Sequence, residues 1–381
     1  LVTSILPVFT CRAHLLIGYA VGRNACMQRN DKTKGRSLCQ SKGHSNMLVP
    51  VLLFILGLVM LIKGGDWFVD GAVAVAHRFH LPELLIGATI VSIGTTLPEV
   101  MVSATSAVSG HGEIAYGNAI GSVICNTALI AAITVAVRPG KVERRSLGLP
   151  VAFFFIAAAI YSAVAYISGE FTRPVGIVLL VIFAAYIAFN ISSALGARKR
   201  ASADSLSDIQ PSGNNGAAAE TESEMSMLRA VILLIVGAAL IAVGANLLVD
   251  NGTKIAAALG VPESVIALTF VALGTSLPEL VTAITSLVKG HGSLSLGNIV
   301  GANLFNLVLV SGVSVTLSPF AIPCEKTIGG MNASLAVDIP LMIAVMAILT
   351  VPALIRGKLS RAQGILLLAI YAAFCVFQFA A

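Results

Sequence analysis

The chain contains one short stretch twice, first as Gly94-Thr95-Thr96-Leu97-Pro98-Glu99 and again as Gly274-Thr275-Ser276-Leu277-Pro278-Glu279. Each copy places one carboxylate in the middle of a long apolar segment. A charged side chain at the centre of a bilayer costs about 2.5 to 3.5 kcal/mol on insertion scales. The same costly charge occurs at two matching positions. We therefore expect Glu99 and Glu279 to meet near the bilayer midplane and to bind a cation.

The composition is that of an integral membrane protein. Of 381 residues, 57% are hydrophobic and 11% are charged, whereas soluble domains have about 25% charged residues; the mean hydropathy is +0.92. No basic surface interleaved with aromatic residues accompanies the net charge of +6, so we expect no nucleic-acid partner. The six cysteines show neither metal-binding nor disulfide spacing. We expect a lipid bilayer as the partner and no cofactor; the sequence leaves the oligomeric state open, with a monomer as one option.

Ten apolar segments approach the length of about 20 residues that a membrane-spanning helix needs. Isolated strands cannot span a membrane because an open sheet edge is not tolerated in lipid. The sequence therefore predicts an all-α integral membrane protein with ten transmembrane helices. Their cores are predicted at 48–62 (continuing through 67–69), 84–108, 114–137, 149–167, 175–195, 228–249, 264–288, 294–318, 335–355 and 365–380.

A polar, basic tail precedes the first apolar segment. Residues 1–46 begin with Leu1 rather than Met, and hydrophobic sequence starts directly after Met47. We interpret this tail as non-native or disordered sequence upstream of a natural start at Met47. A targeting segment is the alternative, although the apolar run at 15–21 is short for a signal peptide.

A second polar segment divides the rest of the chain into halves. Residues 197–227 are rich in Ser, Asp, Glu, Gly and Asn and have little to bury. We therefore predict a flexible linker between two five-helix halves, 47–196 and 228–381.

The two halves are repeats of one another. When the sequence is shifted so that Glu99 falls on Glu279, 82–126 aligns with 262–306 without a gap, and 20 of the 45 positions are identical. Five is an odd number, so consecutive halves must enter the membrane in opposite directions. The sequence therefore predicts two inverted-topology repeats, whose binding sites form near the midplane at the repeat interface.

The loop charges predict the orientation of these helices. If the 197–227 linker is cytoplasmic, fourteen Lys and Arg residues flank the helices on that side and three flank them on the other, leaving out the tail. This bias follows the positive-inside rule. We expect a multi-pass protein of a bacterial or archaeal plasma membrane, with both termini outside and the linker in the cytoplasm.

Polar side chains form stripes along four of the predicted helices. Ser92, Thr96, Glu99, Ser103 and Ser106 share one helix face by their spacing. The other stripes contain Asn118, Ser122 and Asn126; Ser276, Glu279 and Ser286; and Asn298 and Asn306. These hard oxygen ligands suit Na⁺, Ca²⁺ and Mg²⁺ better than zinc or copper.

Two prolines are expected to add backbone oxygens to these stripes. Pro98 and Pro278 each lack an N–H group, and each clashes with the carbonyl four residues back in a helix. We therefore expect free carbonyl groups near Ser92–Gly94 and Ala272–Gly274.

These residues resemble a known family. Ile86-Gly87-Ala88-Thr89, the 94–99 stretch and Gly117-Asn118-Ala119-Ile120-Gly121-Ser122 are similar to the first α-repeat of the cation/Ca²⁺ exchanger superfamily. The 274–279 stretch and residues 297–306 look like the second, and the prokaryotic sodium/calcium exchangers are the most similar group. The resemblance extends from about Met47 to the C-terminus.

The resemblance implies ten transmembrane helices, a cytoplasmic linker, and alternating access in which extracellular Na⁺ drives Ca²⁺ out through one shared site. The implied first-repeat ligands are Ser92 (through its carbonyl), Thr95, Thr96, Glu99, Ser122 and Asn126. The implied second-repeat ligands are Ala272 (through its carbonyl), Thr275, Ser276, Glu279 and Asn306.

Two positions depart from the family pattern. Some relatives carry Asp where this chain has Asn306, and a Ser is common where this chain has Ala302. In the potassium-dependent branch, Asp at the position of Asn306 is tied to K⁺ binding, so we expect no requirement for K⁺. Two carboxylates remain, which neutralise one Ca²⁺ ion.

Other functions compete with Na⁺/Ca²⁺ exchange. A Ca²⁺/H⁺ exchanger of the same fold would use protonated glutamates in place of Na⁺, although the many hydroxyl ligands favour Na⁺. A cation channel needs a continuous pathway, which the sequence does not indicate. An intramembrane enzyme is not expected because the sequence contains no His-Glu-x-x-His motif and no recognisable catalytic arrangement. A transport-inactive relative is disfavoured by the intact motifs.

Overall fold

The chain forms helices that follow the predicted apolar segments. The computed structural model describes residues 47–79, 81–207, 225–258, 274–324, 327–328 and 330–380. The helices are α1 (Leu48–Arg78), α2 (Glu83–Val108), α3 (Gly112–Val137), α4 (Arg144–Ile167), α5 (Arg173–Ser207), α6 (Met227–Ala258), α7 (Leu277–Val288), α8 (Gly292–Leu317), α9 (Ser334–Arg356) and α10 (Arg361–Ala380).

Most of these helices are membrane spans by length and hydropathy. Within the described ranges, nine helices are long and apolar enough to cross a bilayer. The remaining helix, α7, is a shorter apolar helix, and residues 259–273, where the first part of the seventh span is predicted, lie outside the described residues. The protein is therefore an all-helical membrane protein, apart from short strands in its loops.

The predicted linker begins too early. Helix α5 continues to Ser207, so residues 197–207 are helical rather than irregular. This segment contains several Ala, Arg and Lys residues, which are good helix formers, and has no Pro before Pro211. The rest of the polar segment up to residue 224 lies outside the described residues, as does the predicted tail, 1–46.

Two helices lie at the centre of the bundle. In the most apolar stretches of α8 and α3, 83% and 72% of the residues are buried, against 22% in α1 and in α6. The larger apolar core surrounds α3, α4, α8 and α9, and a smaller one lies where α1 and α6 meet α2. Because α3 and α8 carry the predicted ligands Asn126 and Asn306, this packing removes both side chains from lipid.

Within the residues that the structure describes, four helices contain π turns, in which the helix widens for a few residues. They are Gly87–Val91 in α2, Asn126–Ala131 in α3, Asn306–Val310 in α8 and Ser334–Asp338 at the start of α9. Two of them begin at Asn126 and Asn306, which occupy equivalent positions in the two halves. Such turns in α-helices are frequent at functional sites.

The two repeated prolines have different surroundings. Pro98 lies inside a continuous α-helical stretch, Ser92–Val108, so the proline does not break α2. Pro278 lies in the first turn of α7, where its missing N–H group would have no helical partner in any case. In α2 the departure from α-helical geometry is at Gly87–Val91, before the proline.

Glycines allow α1 and α6 to pack backbone against backbone. A Cβ atom on Gly57 would lie 2.8 Å from the carbonyl oxygen of Gly244, and one on Gly64 would lie 3.0 Å from that of Gly237. The alignment of the halves matches Gly57 with Gly237 and Gly64 with Gly244. The Gly57–Gly244 contact is therefore equivalent to the Gly64–Gly237 contact. Small residues at such positions let membrane helices approach closely.

Short strand pairs join the loops at the helix ends. Strand β1 (Glu170–Phe171), between α4 and α5, pairs antiparallel with β2 (Phe320–Ala321), between α8 and α9. Strand β3 (Thr327–Ile328) pairs with β4 (Met331–Asn332) in the same α8–α9 connection. A single bridge between Lys141 and Lys358 joins the α3–α4 and α9–α10 connections. The β1–β2 pair and the Lys141–Lys358 bridge tie the first half to the second.

The glycine contact between α1 and α6 can be tested with a matched pair of variants. At Gly64 an added methyl group would lie 2.9 Å from the backbone nitrogen of Ile241, and this backbone cannot move without separating the helices. Gly148, on α4, has no atom within 4 Å of the same position. We expect Gly64→Ala to lower the thermal unfolding temperature in detergent. Gly148→Ala should leave it unchanged or raise it, since Ala is favoured in helices by up to about 1 kcal/mol; equal effects of the two changes would contradict this packing.

Candidate cation-binding site

Two carboxylates lie together inside the bundle. Glu99 on α2 and Glu279 on α7 have no solvent-exposed surface and are close enough to interact electrostatically. Within the described part of the chain, none of their four carboxylate oxygens accepts a hydrogen bond. A buried charge without a partner is very costly, and a cation bound between the two carboxylates could supply the missing charge.

Neutral polar atoms around the carboxylates are unpartnered in the same way. Buried polar groups in proteins are nearly always hydrogen-bonded, and each exception requires an explanation. Among the described residues, unpartnered buried oxygens belong to the predicted ligands Thr96, Asn126, Ser276 and Asn306. They lie on α2, α3 and α8 and directly before α7, so the free lone pairs come from both halves of the chain.

The α2 hydroxyl groups lie across the interface from the α7 carboxylate. Thr95 and Thr96 both lie beside Glu279, although neither meets the geometry of a hydrogen bond to that carboxylate. Their hydroxyl oxygens could therefore share an ion with Glu279.

The remaining predicted site residues differ in their surroundings. The Ser92 hydroxyl donates to the carbonyl oxygens of Gly87 at 2.7 Å and Asn298 at 2.9 Å, so it is engaged by backbone. Ser122 on α3 is buried, and Thr275, just before α7, is half-buried. Ala272 lies outside the described residues.

Two asparagines connect the halves at this site. The Thr95 hydroxyl lies 3.2 Å from Asn298 Oδ1 on α8, and the Thr275 hydroxyl lies 3.3 Å from Asn118 Oδ1 on α3. The alignment of the halves matches Thr95 with Thr275 and Asn118 with Asn298, so these two contacts are equivalent. The sequence places both asparagines on the polar stripes but does not assign them a role.

The π turn of α2 is held by a tyrosine that the sequence analysis missed. Tyr186 on α5 is fully buried and donates a hydrogen bond of 2.9 Å to the carbonyl oxygen of Ala88. Its ring also contacts Phe305, the residue before Asn306, with ring centroids 5.9 Å apart. Tyr186 therefore links the π turn of α2 to the start of the π turn of α8. No local sequence pattern marks it, because it lies in an otherwise apolar helix.

A small cavity adjoins the site between α1, α2, α6 and α7. Its volume is about 10 Å³, which is about the size of one water molecule. Both repeated prolines line it, together with Thr95 and Phe68. The cavity therefore reaches the site at Thr95.

The ligand chemistry is that of a hard-cation site. In the ranges that the structure describes, no group of three or more His, Cys, Asp and Glu side chains lies close enough to hold a metal. The site instead combines two carboxylates with hydroxyl and amide oxygens, which are ligands that Na⁺ and Ca²⁺ accept.

Helices that enclose buried, unpartnered oxygens at the centre of a membrane protein define an ion transporter. The chain matches the family described as sodium/calcium exchanger protein over residues 49–192 and 229–380. It therefore belongs to the sodium/calcium exchanger family. Because the members of this family are exchangers, the protein is a membrane transporter and not an enzyme.

Curated relatives and solved structures agree with this assignment. The chain is 34% identical to the uncharacterized membrane protein MJ0091 of Methanocaldococcus jannaschii, over 85% of this chain and 96% of that protein. It is 30% identical to the sodium/calcium exchanger MaX1 of Methanosarcina acetivorans, over 87% of this chain and 99% of that protein. The structure of the sodium-calcium exchanger NCX_Mj soaked with Na⁺ and Sr²⁺ superposes with a TM-score of 0.67 and 30% identity, over 87% of this chain and 99% of that one.

The role of Tyr186 can be tested by removing its hydroxyl group. Tyr186→Phe leaves the buried Ala88 carbonyl without this donor, which should cost about 1 to 3 kcal/mol and lower the thermal unfolding temperature. Tyr161→Phe is the matched control, because the buried Tyr161 hydroxyl lies beside the Ser311 side chain but makes no hydrogen bond of good geometry within the described residues. If both variants unfold at the same temperature, the Tyr186–Ala88 bond does not stabilise the π turn.

Proposed function

We propose that this protein is a secondary active antiporter that exchanges Na⁺ for Ca²⁺ by alternating access. The observation that carries the proposal is the cluster of buried, unpartnered oxygens around Glu99 and Glu279. The relative MaX1 is a sodium/calcium exchanger, and NCX_Mj, with which this chain shares its fold, was soaked with both Na⁺ and a divalent cation. Both support Na⁺ and Ca²⁺ as the ions of this site.

The proposed ligands come from both halves of the chain. The carboxylates of Glu99 and Glu279 supply the charge, and the other ligands supply neutral oxygens. Those from the first half are Ser92 through its carbonyl, Thr95, Thr96, Ser122 and Asn126. Those from the second half are Ala272 through its carbonyl, Thr275, Ser276 and Asn306.

The charge of the site explains coupling. With one Ca²⁺ bound, the two carboxylates are neutralised, and bound Na⁺ ions neutralise them as well. The empty site would carry two like charges away from water, which is strongly unfavourable. The protein would therefore change its access only when loaded, so that one ion must enter before the other can be exchanged.

The proposed architecture is ten transmembrane helices in two inverted repeats. In such a repeat, each contact between the halves recurs with its partners exchanged. The Thr95–Asn298 and Thr275–Asn118 contacts have this relation, and so do the Gly57–Gly244 and Gly64–Gly237 contacts. The loop charges support a cytoplasmic linker and external termini in a prokaryotic plasma membrane.

The proposed exchanger does not require K⁺. Asn306 begins the π turn of α8, is fully buried and carries a neutral amide. A third carboxylate at this position would add the charge needed for a further monovalent cation. With two carboxylates, one Ca²⁺ already brings the site to neutrality.

The exchange itself is tested with radioactive Ca²⁺ in proteoliposomes. Vesicles loaded with Na⁺ or with choline are compared at equal pH on both sides, with and without K⁺. We expect uptake only into the Na⁺-loaded vesicles, unchanged by K⁺. Uptake that ignores the Na⁺ gradient but follows an imposed pH gradient would instead establish the alternative, a Ca²⁺/H⁺ exchanger that uses the same two glutamates.

The two glutamates are tested by isosteric neutralisation. Glu99→Gln and Glu279→Gln each remove a buried negative charge, so we expect Ca²⁺ uptake to be abolished while the protein remains folded. Ca²⁺ binding to the folded state raises the thermal unfolding temperature of the wild-type protein, and both variants should lose this rise. Glu113→Gln is the matched control, since the Glu113 side chain is 52% exposed in the first turn of α3. Unchanged Ca²⁺ uptake in either site variant would refute the assignment.

A further inference from the structure

We propose that Asn118 and Asn298 are positioning residues that orient the threonine hydroxyl ligands of the opposite half of the chain. Each asparagine accepts the proton of one hydroxyl, so that the lone pairs of that hydroxyl face the cation. The inference rests on the proposed function. Its observation is the pair of equivalent contacts, Thr95 to Asn298 at 3.2 Å and Thr275 to Asn118 at 3.3 Å.

A hydroxyl group can bind a cation only in some orientations. It has one proton and two lone pairs, and a cation binds the lone pairs and repels the proton. The proton must therefore point at an acceptor outside the ion site. For Thr95 that acceptor is Asn298 Oδ1, because the other close oxygen, the Ser92 carbonyl, is at 3.4 Å.

A competing acceptor makes this direction important. The Glu279 carboxylate lies beside Thr95. If the Thr95 proton turned towards Glu279, the hydroxyl would compete with the cation for the carboxylate oxygen. Its lone pairs would also turn away from the ion. By accepting the Thr95 proton, Asn298 therefore keeps both the Thr95 lone pairs and the Glu279 carboxylate available to the cation.

The orientation of Asn118 is set by its other contacts. Its Nδ2 atom donates to the Glu99 carbonyl oxygen at 3.3 Å and to Ser103 Oγ at 2.8 Å. A carbonyl oxygen can only accept, so the amide nitrogen must face Glu99 and the amide oxygen must face Thr275. Asn298 is fully buried, and its Nδ2 atom has no hydrogen-bond partner among the described residues. We assign its amide oxygen the direction towards Thr95 from the equivalence of its contact to that of Asn118.

Each hydroxyl ligand is thus oriented by the half of the protein to which it does not belong. Thr95 is in the first half and Asn298 in the second; Thr275 is in the second half and Asn118 in the first. A movement of one half relative to the other would separate both pairs together. The hydroxyl groups would then lose their orientation, and the affinity of the site would change with its access.

The proposal is tested by double-mutant cycles on the full-length protein. Thr95→Val and Thr275→Val remove the hydroxyl groups, and Asn298→Leu and Asn118→Leu remove the acceptors. We expect each Asn variant to raise the half-saturating Ca²⁺ concentration about tenfold with little change in maximal rate. In the contacting pairs, the Thr variant alone already removes the Thr–Asn hydrogen bond. The double variant should therefore bind Ca²⁺ no more than about twofold more weakly than the Thr variant.

Crossed pairs provide the control. They combine residues from different contacts: Thr95→Val with Asn118→Leu, and Thr275→Val with Asn298→Leu. In each crossed pair, the fold-losses in Ca²⁺ affinity of the two single variants should multiply. A general structural defect would give the same result in contacting and crossed pairs, which would overturn the proposal. Because Asn118 also contacts Glu99 and Ser103, the Asn298 cycle is the primary test; if Asn298→Leu does not fold, Asn298→Ser replaces it.

The readout separates this proposal from the proposed function. Ca²⁺ affinity is measured from the Ca²⁺-dependent rise in unfolding temperature of each purified variant, which needs no Na⁺ gradient. Na⁺-driven uptake of the wild-type protein is measured in parallel vesicles. Failure of Na⁺-driven uptake would refute Na⁺/Ca²⁺ exchange alone, whereas equal coupling in contacting and crossed pairs would refute the positioning role alone.

Discussion

The burial of two carboxylates without a protein cation is the constraint on which the rest of the site depends. Glu99 and Glu279 are fully buried, and none of their oxygens has a hydrogen-bond donor within the described residues. A fold that served stability alone would place a donor or a basic side chain there, since an uncompensated buried charge is so costly. Lys289, which follows the last residue of α7, is instead paired with Asp66 and Asp70 of α1.

The helices around this pair are arranged so that ligands come from both halves. Glycines let backbones approach where the halves meet: a Cβ atom on Gly301 of α8 would lie 2.6 Å from the Ala88 Cα atom of α2. Ala88 is also the residue whose carbonyl oxygen Tyr186 holds. The π turn of α2 is therefore fixed on one side by packing and on the other by a hydrogen bond. Such double support is what keeps a strained element in a single geometry.

The sequence predicts the parts of this structure that depend on composition and spacing. Apolar length predicts the spans, and the repeated carboxylates in the hexapeptides predict which residues meet. The structure adds what depends on contacts distant in the chain. Tyr186 could not be identified, because its role depends on Ala88, 98 residues away, and nothing in its own segment marks it. The π turns could not be predicted either, since Asn126 and Asn306 begin them without any Pro or Gly signal.

The predicted linker shows a different limit of sequence reasoning. Its polar composition predicts a segment that has little to bury, yet residues 197–207 are helical. Polarity excludes a membrane span but not a helix, because Ala, Arg and Lys favour helical backbone in water as well. Pro98 lies inside a continuous helix, and the free carbonyl groups expected near Ser92–Gly94 stay a prediction. A proline within a membrane helix is tolerated where neighbouring groups satisfy the backbone, and α2 remains continuous through Ser92–Val108.

The departures from symmetry bear on how an exchanger of this kind could work. If the halves were identical, states open to the two sides of the membrane would be equal in energy, and only the ions would distinguish them. The halves differ at the site: Ser92, Ser103 and Ser122 in the first correspond to Ala272, Ala283 and Ala302 in the second. The Ser92 hydroxyl donates across the interface to Asn298, and Ser103 accepts from Asn118. Alanine can make neither side-chain bond, so the two states of the proposed exchanger would differ in energy. This difference would give the proposed exchanger a preferred resting orientation, which ion binding would oppose or reinforce.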